Sequence, residues 1–244
     1  MVPSHMVSPK RIARKAFLRG IVASAPFTLM VVPFGLLYGV VATEAGMSMV
    51  EVMAFSIMVI AGAAQFAAVQ LMQDGAPLAI VLATSLAINL RMAMYSAALT
   101  PHLGAAPFRT RAAMAYFLVD QTFAASFLEF SRRPDQRLAE KTAFFFGAVT
   151  PVCPLWYVTS WAGARFGAAI PPDYALDFVV PIAFLAIISP MLRTLAHVAA
   201  AAMSVFLALA FAWLPYSSGL LVAAVGAMLT GALVELWSER RAAA

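Results

Sequence analysis

Apolar runs of about twenty residues, the length a helix needs to cross the hydrocarbon core of a bilayer, follow one another along nearly the whole of this chain. Eight candidate spans can be marked out, at roughly 17–43, 48–72, 76–100, 111–130, 142–166, 174–190, 195–214 and 217–237. The sixth is short and the last two are joined only by "PYSSG", so a count of seven stays open. The runs are too long for transmembrane strands and lack their apolar/polar alternation. With 63% hydrophobic and only 11% charged residues, against roughly 25% charged in a soluble domain, the expectation is an all-α polytopic bundle.

The polar segments exclude more than they supply. The longest between two runs is "SRRPDQRLAEK" (131–141), too short for an ATPase or a catalytic domain. No enzyme activity, cofactor or bound nucleotide is therefore expected. Cys153 is the single cysteine, so there is no intrachain disulfide and no cysteine-based metal site. His5, His102 and His197 have no ligand spacing. The net charge of +5 sits between apolar runs and not on one patch, so it reads as topology and not as nucleic-acid binding. With the N-terminus inside, Lys and Arg at 10–19, 132–141, 193 and 240–241 fall on the inner side, and only Arg109 and Arg111 fall outside. Both termini are then cytoplasmic. The organisation expected is a basic segment at 1–16, one transmembrane domain at 17–237 and a tail at 238–244. Residues 1–6 (MVPSHM) are left out of the fold argument.

Polar residues inside the spans carry the functional reading. In "LATSLAINLRMAMYSAALT" (82–100), at ~100° per residue, Thr84, Arg91 and Tyr95 share one stripe. Ser85, Asn89, Ser96 and Thr100 share a second, and Leu86, Leu90 and Met94 lie opposite. A buried cation is expensive unless paired or solvated. Arg91 with Asn89 is thus a candidate carboxylate site; the bland alternative is a structural ion pair. Asp120 in the fourth span, followed by Gln121 and with Tyr116 one turn earlier on the same face, is the candidate partner. Low dielectric favours the neutral form of a carboxyl, which makes Asp120 a candidate proton carrier as well. Gln65, flanked by small residues in "AGAAQF", suits either packing or ligand binding.

Pro26, Pro33 and Gly35 in the first span and Pro151 and Pro154 in the fifth mark expected helix breaks, of the kind that form binding sites in transporters. "FGLLYGVVATEAGMSMVEVMAF" (34–55) and "AGARFGAAIPPDYALDFVVPIAF" (162–184) share Gly-x-x-x-Gly, an acidic residue and an Ala-Phe ending. An internal repeat and ordinary close helix packing both account for that. Asp173 and Asp177 are expected in an outer loop.

The stretches "PFGLLYG", "AGAAQF", "NLRMAMYS", "DQTFA" and "LDFVVPIAFLA", in this order, resemble the AzlC-type branched-chain amino acid permeases. The resemblance implies a multi-pass protein of the bacterial inner membrane that exports valine, leucine, isoleucine and similar neutral amino acids with a small hydrophobic AzlD-type partner subunit. Apolar pockets separate aliphatic side chains by only ~1–3 kcal/mol per methylene, which extends the expected range to methionine, and Asp120 makes proton coupling the expectation. Asn89, Arg91, Tyr95, Gln65 and Gln121 would then bind substrate and Asp120 would carry the proton. Relatives often have Asp-Glu where this chain has Asp120-Gln121, which puts any role of a second carboxylate in doubt. A passive pore and a scaffold subunit of a membrane complex are the alternatives.

Overall fold

The computed structural model describes residues 9–167, 192, 194–215 and 218–242. The described residues form helices α1 (Pro9–Ser24), α2 (Thr28–Glu44), α3 (Met49–Val59), α4 (Gly62–Gln73), α5 (Leu78–Leu103), α6 (Phe108–Tyr116), α7 (Asp120–Arg132), α8 (Leu138–Phe166), α9 (Leu195–Ala210) and α10 (Gly219–Ala242), with no strand among them. Among the described residues, four helical paths are long and apolar enough to cross a bilayer: Lys10–Glu44, α5, α8 and α10. The expected all-α membrane bundle is what the chain forms. The sixth candidate span, with Asp173, Asp177 and the "LDFVVPIAFLA" stretch, lies outside the described residues, as do His5 and Arg193. The chain divides into two compact units, 1–65 with 88–169 and 66–87 with 170–244. In the second, α9 packs against α10. Thr194 caps α9, its hydroxyl accepting the His197 N–H at 3.2 Å.

The first unit is built on a glycine seam. α1 and α2 lie along α8, and the contacts are reciprocal. A Cβ on Gly20 would fall on the Phe144 carbonyl, and one on Gly147 on the Phe17 carbonyl. Further along, a Cβ on Gly39 would fall on the Ser160 carbonyl, and one on Gly163 on the Leu36 carbonyl. Both chains advance in the same direction through these contacts, so α8 runs parallel to α1 and α2. The expected Gly-x-x-x-Gly segments thus pack on each other, as small residues allow in a membrane. The partner offset is 127 residues at the first contact (20 to 147) and 124 at the second (39 to 163). Three residues, Ala25–Phe27, form a 3₁₀ turn between α1 and α2 that has no counterpart in α8 and accounts for the change. That turn holds Pro26, whose missing N–H interrupts the α ladder.

The other expected breaks lie elsewhere. Pro33 sits inside α2, and Pro151 and Pro154 sit inside an uninterrupted α8 of 29 residues. Proline is tolerated there because neighbouring helices and local adjustments re-satisfy the freed groups. Among the described residues, the second and fourth spans are interrupted as well. α3 ends at Ile60, which takes left-handed φ 39°, ψ 39°, a costly conformation for a β-branched residue. α4 then turns back. Gln65 Nε2 donates to Ser56 Oγ at 3.4 Å, next to Phe55, whose ring meets that of Tyr38. Nine residues of straight helix would separate Ser56 and Gln65 by ~13 Å along the axis, beyond the reach of their side chains.

The fourth span folds back in the same manner. Along α5 and α7, Arg91 meets Asp120, Tyr95 stacks on Phe123 and His102 meets Phe130, so these two helices are parallel. Phe130 in turn meets Phe144, near the start of α8, which places the ends of α5 and α7 beside the beginning of α8. α6 leaves from that same end, where Arg111 Nη1 donates to the Gly104 carbonyl at 3.5 Å. It climbs to Tyr116, whose hydroxyl lies 3.0 Å from that of Tyr157, far along α8. Residues 117–119 then reverse the chain. The expectation that Tyr116 and Asp120 share one helical face fails for this reason: the break falls between them.

Replacing Gly163 by Ala drives a methyl into the Leu36 backbone. It should lower the melting midpoint in detergent on the order of 5 °C, from a typical overpacking penalty and the usual slope of midpoint on stability. Gly226→Ala, whose Cβ meets only the end of the Leu207 side chain, should shift it little. Fluorescence-detected size exclusion after heating makes the comparison.

Candidate functional site

The site is assembled where α5 passes the break between α6 and α7. α5 is an unbroken helix of 26 residues, and Arg91 is twelve residues from its end at Leu103, ~18 Å at 1.5 Å per residue. Its apolar side is turned outward: Leu86, Leu90 and Met94 are 59–68% exposed, the pattern of a lipid-facing stripe. On the other side, Arg91 Nη1 lies 3.1 Å from Asp120 Oδ2, and the Tyr95 hydroxyl donates to Asp120 Oδ1 at 3.0 Å. The Tyr95 ring stacks on Phe123 at 4.1 Å between centroids, one turn along α7. Phe123 thus fixes the phenol, and the phenol and the guanidinium fix the carboxylate.

Asp120 is the first residue of α7, and its placement has a backbone cause. The break 117–119 is stapled by Thr122. Its hydroxyl accepts the Val119 N–H at 3.0 Å and lies 2.9 Å from the carbonyls of Phe117 and Val119, to which it donates. Thr122 is fully buried. The helix therefore restarts at Asp120, with the acid at the positive end of the α7 dipole, where a negative charge is favoured. The pair is not sealed: the side chains of Arg91 and Asp120 are 27% and 41% exposed.

Two polar atoms beside the pair are buried without a hydrogen-bond partner among the described residues, Arg91 Nε and Asn89 Oδ1. One is a donor and the other an acceptor. Unsatisfied buried polar groups are rare and ask for an explanation. Of the residues singled out from sequence, the structure brings Arg91, Tyr95 and Asp120 into contact, with Asn89 two residues from Arg91 and Gln121 next to Asp120. Gln65 is elsewhere, fully buried in the cluster with Ser56 and Tyr38 at the other break. Pro33, Gly35, Pro151 and Pro154 sit inside the seam helices, and Pro26 sits in the turn between α1 and α2.

Sequence reasoning missed the junction between the two breaks. The Tyr116 hydroxyl donates to the Ile57 carbonyl at 2.5 Å, joining the last residue of α6 to the last turn of α3. Since its proton is used there, the Tyr157 hydroxyl on α8 donates to it. Neither break carries proline, and "YFLVDQ" has no turn residue ahead of Asp120. Only Gly62, just past Ile60, hinted at one of them. A cavity of about 80 Å³ lies beside the second break, lined by Leu99, Leu103, Met114, Leu118 and Phe145 with Arg111 and polar Ser96 and Thr100.

An apolar helical bundle that places an ion pair at an interrupted helix in its interior is a polytopic membrane protein with an intramembrane charged site. The chain belongs to the AzlC family: the model described as "AzlC protein" matches residues 26–170, the stretch from the 3₁₀ turn to beyond α8 that holds both breaks. Its relatives include an "Uncharacterized membrane protein" of Archaeoglobus fulgidus, 30% identical over 225 residues, 91% of this chain and 94% of that one. Another is the "Inner membrane protein YgaZ" of Escherichia coli, 27% identical over 175 residues, 69% of this chain and 70% of that one. No solved structure matches.

If Arg91 and Asp120 support each other, Arg91→Ala or Asp120→Ala alone leaves an uncompensated charge inside the bundle, and the pair of changes together should be milder than the sum of the two. Folded yield and melting midpoint of the two single variants and the double variant measure the coupling. Additive losses would show that the two side chains act independently.

Proposed function

We propose that the protein is a secondary active exporter of branched-chain and similar neutral amino acids, proton-coupled and working in the bacterial inner membrane with a small AzlD-type subunit. Family membership supports the transporter class, and the name of the Escherichia coli relative supports the inner membrane. The observation that carries the substrate reading is the Arg91–Asp120 pair. A zwitterionic amino acid bears a carboxylate and an ammonium a few ångströms apart, which matches a guanidinium and a carboxylate in contact at 3.1 Å. The substrate enters by exchange: its carboxylate takes Arg91, with the unpartnered Nε available as a second donor, and its ammonium takes Asp120. Tyr95 holds the Asp120 carboxylate while Arg91 is engaged. Planar bidentate recognition of a carboxylate is what arginine does best.

Coupling follows from the same carboxylate. A proton and a substrate ammonium compete for Asp120, so one leaves as the other binds, and net movement is an exchange of the two. Gln121 cannot titrate, so the proton role rests on Asp120 alone. Apolar pockets separate aliphatic side chains by only ~1–3 kcal/mol per methylene, so the substrate range is broad and includes methionine. Both termini are cytoplasmic in this reading.

Efflux of valine, leucine and methionine from dipeptide-loaded cells tests the proposal. It should require the small subunit. It should fall at least about a hundredfold in Arg91→Ala, the loss of ~3 kcal/mol for a charged contact left unpaired. Asp120→Asn should abolish the response of efflux to an imposed proton gradient. Full efflux from well-folded Arg91→Ala would assign Arg91 a structural role only.

A further inference from the structure

We propose that the segments around the two breaks are re-entrant hairpins that enter the bilayer from opposite faces, and that the Tyr116 hydroxyl is the latch that joins their tips beside Asp120. The proposal needs only that the chain spans a membrane; its consequence for transport rests on the function proposed above.

The directions of the helices carry the first half. α2 ends at Glu44 and α3 begins five residues later, so α3 starts at the far end of the seam and descends beside Tyr38. At Ile60 the chain reverses, since Gly62 meets Phe34 and Gln65 is back at Ser56, beside the Phe55 ring that meets Tyr38. α6 and α7 do the mirror of this from the near end. They leave from Gly104, reverse at 117–119 and return to Glu129, where Arg19 of α1 closes an ion pair at 3.2 Å. Arg133 and Gln136 reach the same carboxylate.

Charge supports the same layout. Eight through-going spans left Arg109 and Arg111 on the outer side, against the usual excess of cations inside. With α6 and α7 folded back, both arginines join Arg19, Arg132, Arg133 and Arg137 at one end of the unit. Glu44 and Glu51 lie at the other.

The second half rests on the backbone. A helix broken in lipid frees carbonyls and N–H groups that must be satisfied within the protein. Ile57 O, in the last turn before the first break, is satisfied by a side chain of the opposite hairpin, Tyr116. Tyr157 of α8 holds that phenol in turn. Tyr116 closes α6 and Asp120 opens α7, so release of Tyr116 frees the tip that carries Asp120 and opens a path past it. Tyr116 is a positioning residue: it acts on the site through the three residues of the break.

Cysteine labelling in the full chain tests both halves, in a Cys153→Ser parent with a membrane-impermeant maleimide applied to intact cells and to inverted vesicles. Arg109→Cys and Arg132→Cys should label from one face and Glu44→Cys from the other. Labelling of Arg109→Cys and Arg132→Cys from opposite faces would restore a through-going fourth span and overturn the hairpin. For the latch, Leu118→Cys reports the tip, where Leu118 is 8% exposed. Its labelling should be about fivefold faster with Tyr116→Phe, the effect of roughly one net hydrogen bond, and accelerated less with Tyr157→Phe, which leaves the bond to Ile57 in place. Equal rates in the parent and Tyr116→Phe would overturn the latch. If Tyr116→Phe does not accumulate as folded protein, an unchanged rate in Tyr157→Phe would do so.

Discussion

A helix can be interrupted inside a bilayer only where each freed backbone group finds a partner from the protein itself. The first unit has two such places, where side-chain hydroxyls meet freed backbone groups. At 117–119 one hydroxyl, that of Thr122, serves the N–H of Val119 and the carbonyls of Val119 and Phe117. At the end of α3, the Ile57 carbonyl is served by Tyr116 and the Ile60 N–H keeps its helical bond to the Ser56 carbonyl at 3.2 Å. These bonds are what let a helix begin at Asp120. That beginning decides where the carboxylate sits, and therefore what Arg91 and Tyr95 can reach.

The charged groups divide by depth. Glu129 holds Arg19, Arg133 and Gln136 at the end of the bundle where the chain is basic. Lys141, 7% exposed, rests against His102 at 3.4 Å and over the Phe130 ring at 5.8 Å in the same region. These contacts fasten helix ends, and partly exposed ion pairs of this kind add little stability. Arg91 and Asp120 lie a dozen residues deeper along α5. There a charge needs its partner, and any ligand that separates the pair has to replace both halves of it. A zwitterion does so; a simple cation or anion replaces one half and strands the other.

The sequence made the class and the charged pair legible, because both follow from local rules. Twenty apolar residues demand a membrane, and an arginine and an aspartate among them demand each other. The stripe of Thr84, Arg91 and Tyr95 gave the correct polar side of α5, and the Gly-x-x-x-Gly segments at 35–39 and 163–167 do pack together. Proline marked the turn at Pro26 but neither the break at Ile60 nor that at 117–119. Pro151 and Pro154 stay within α8, whose neighbours α1 and α2 hold it straight through the glycine contacts. Ile60 and Phe117 have no breaker beside them except Gly62, and the carbonyls freed there, of Ile57 and Phe117, are met by the hydroxyls of Tyr116 and Thr122. A hydropathy count cannot register such bonds, so a hairpin of two half-helices reads as one span.

The two kinds of contact in this unit also differ in what they permit. In the seam, four glycines lie against carbonyls of the opposite helix in two reciprocal pairs, and sliding by even part of a turn would drive side chains such as Leu36 or Phe144 into that backbone. Packed interfaces of this kind move between discrete arrangements or not at all. The tips are joined differently, by phenol hydroxyls on side chains that can rotate away. Ile60 adds to the contrast, since a β-branched residue at positive φ stores strain that a change of tip conformation would release. Motion in the first unit is therefore confined by its own packing: α1, α2 and α8 form the frame, and the ends of α3 and α6 are the parts that can part.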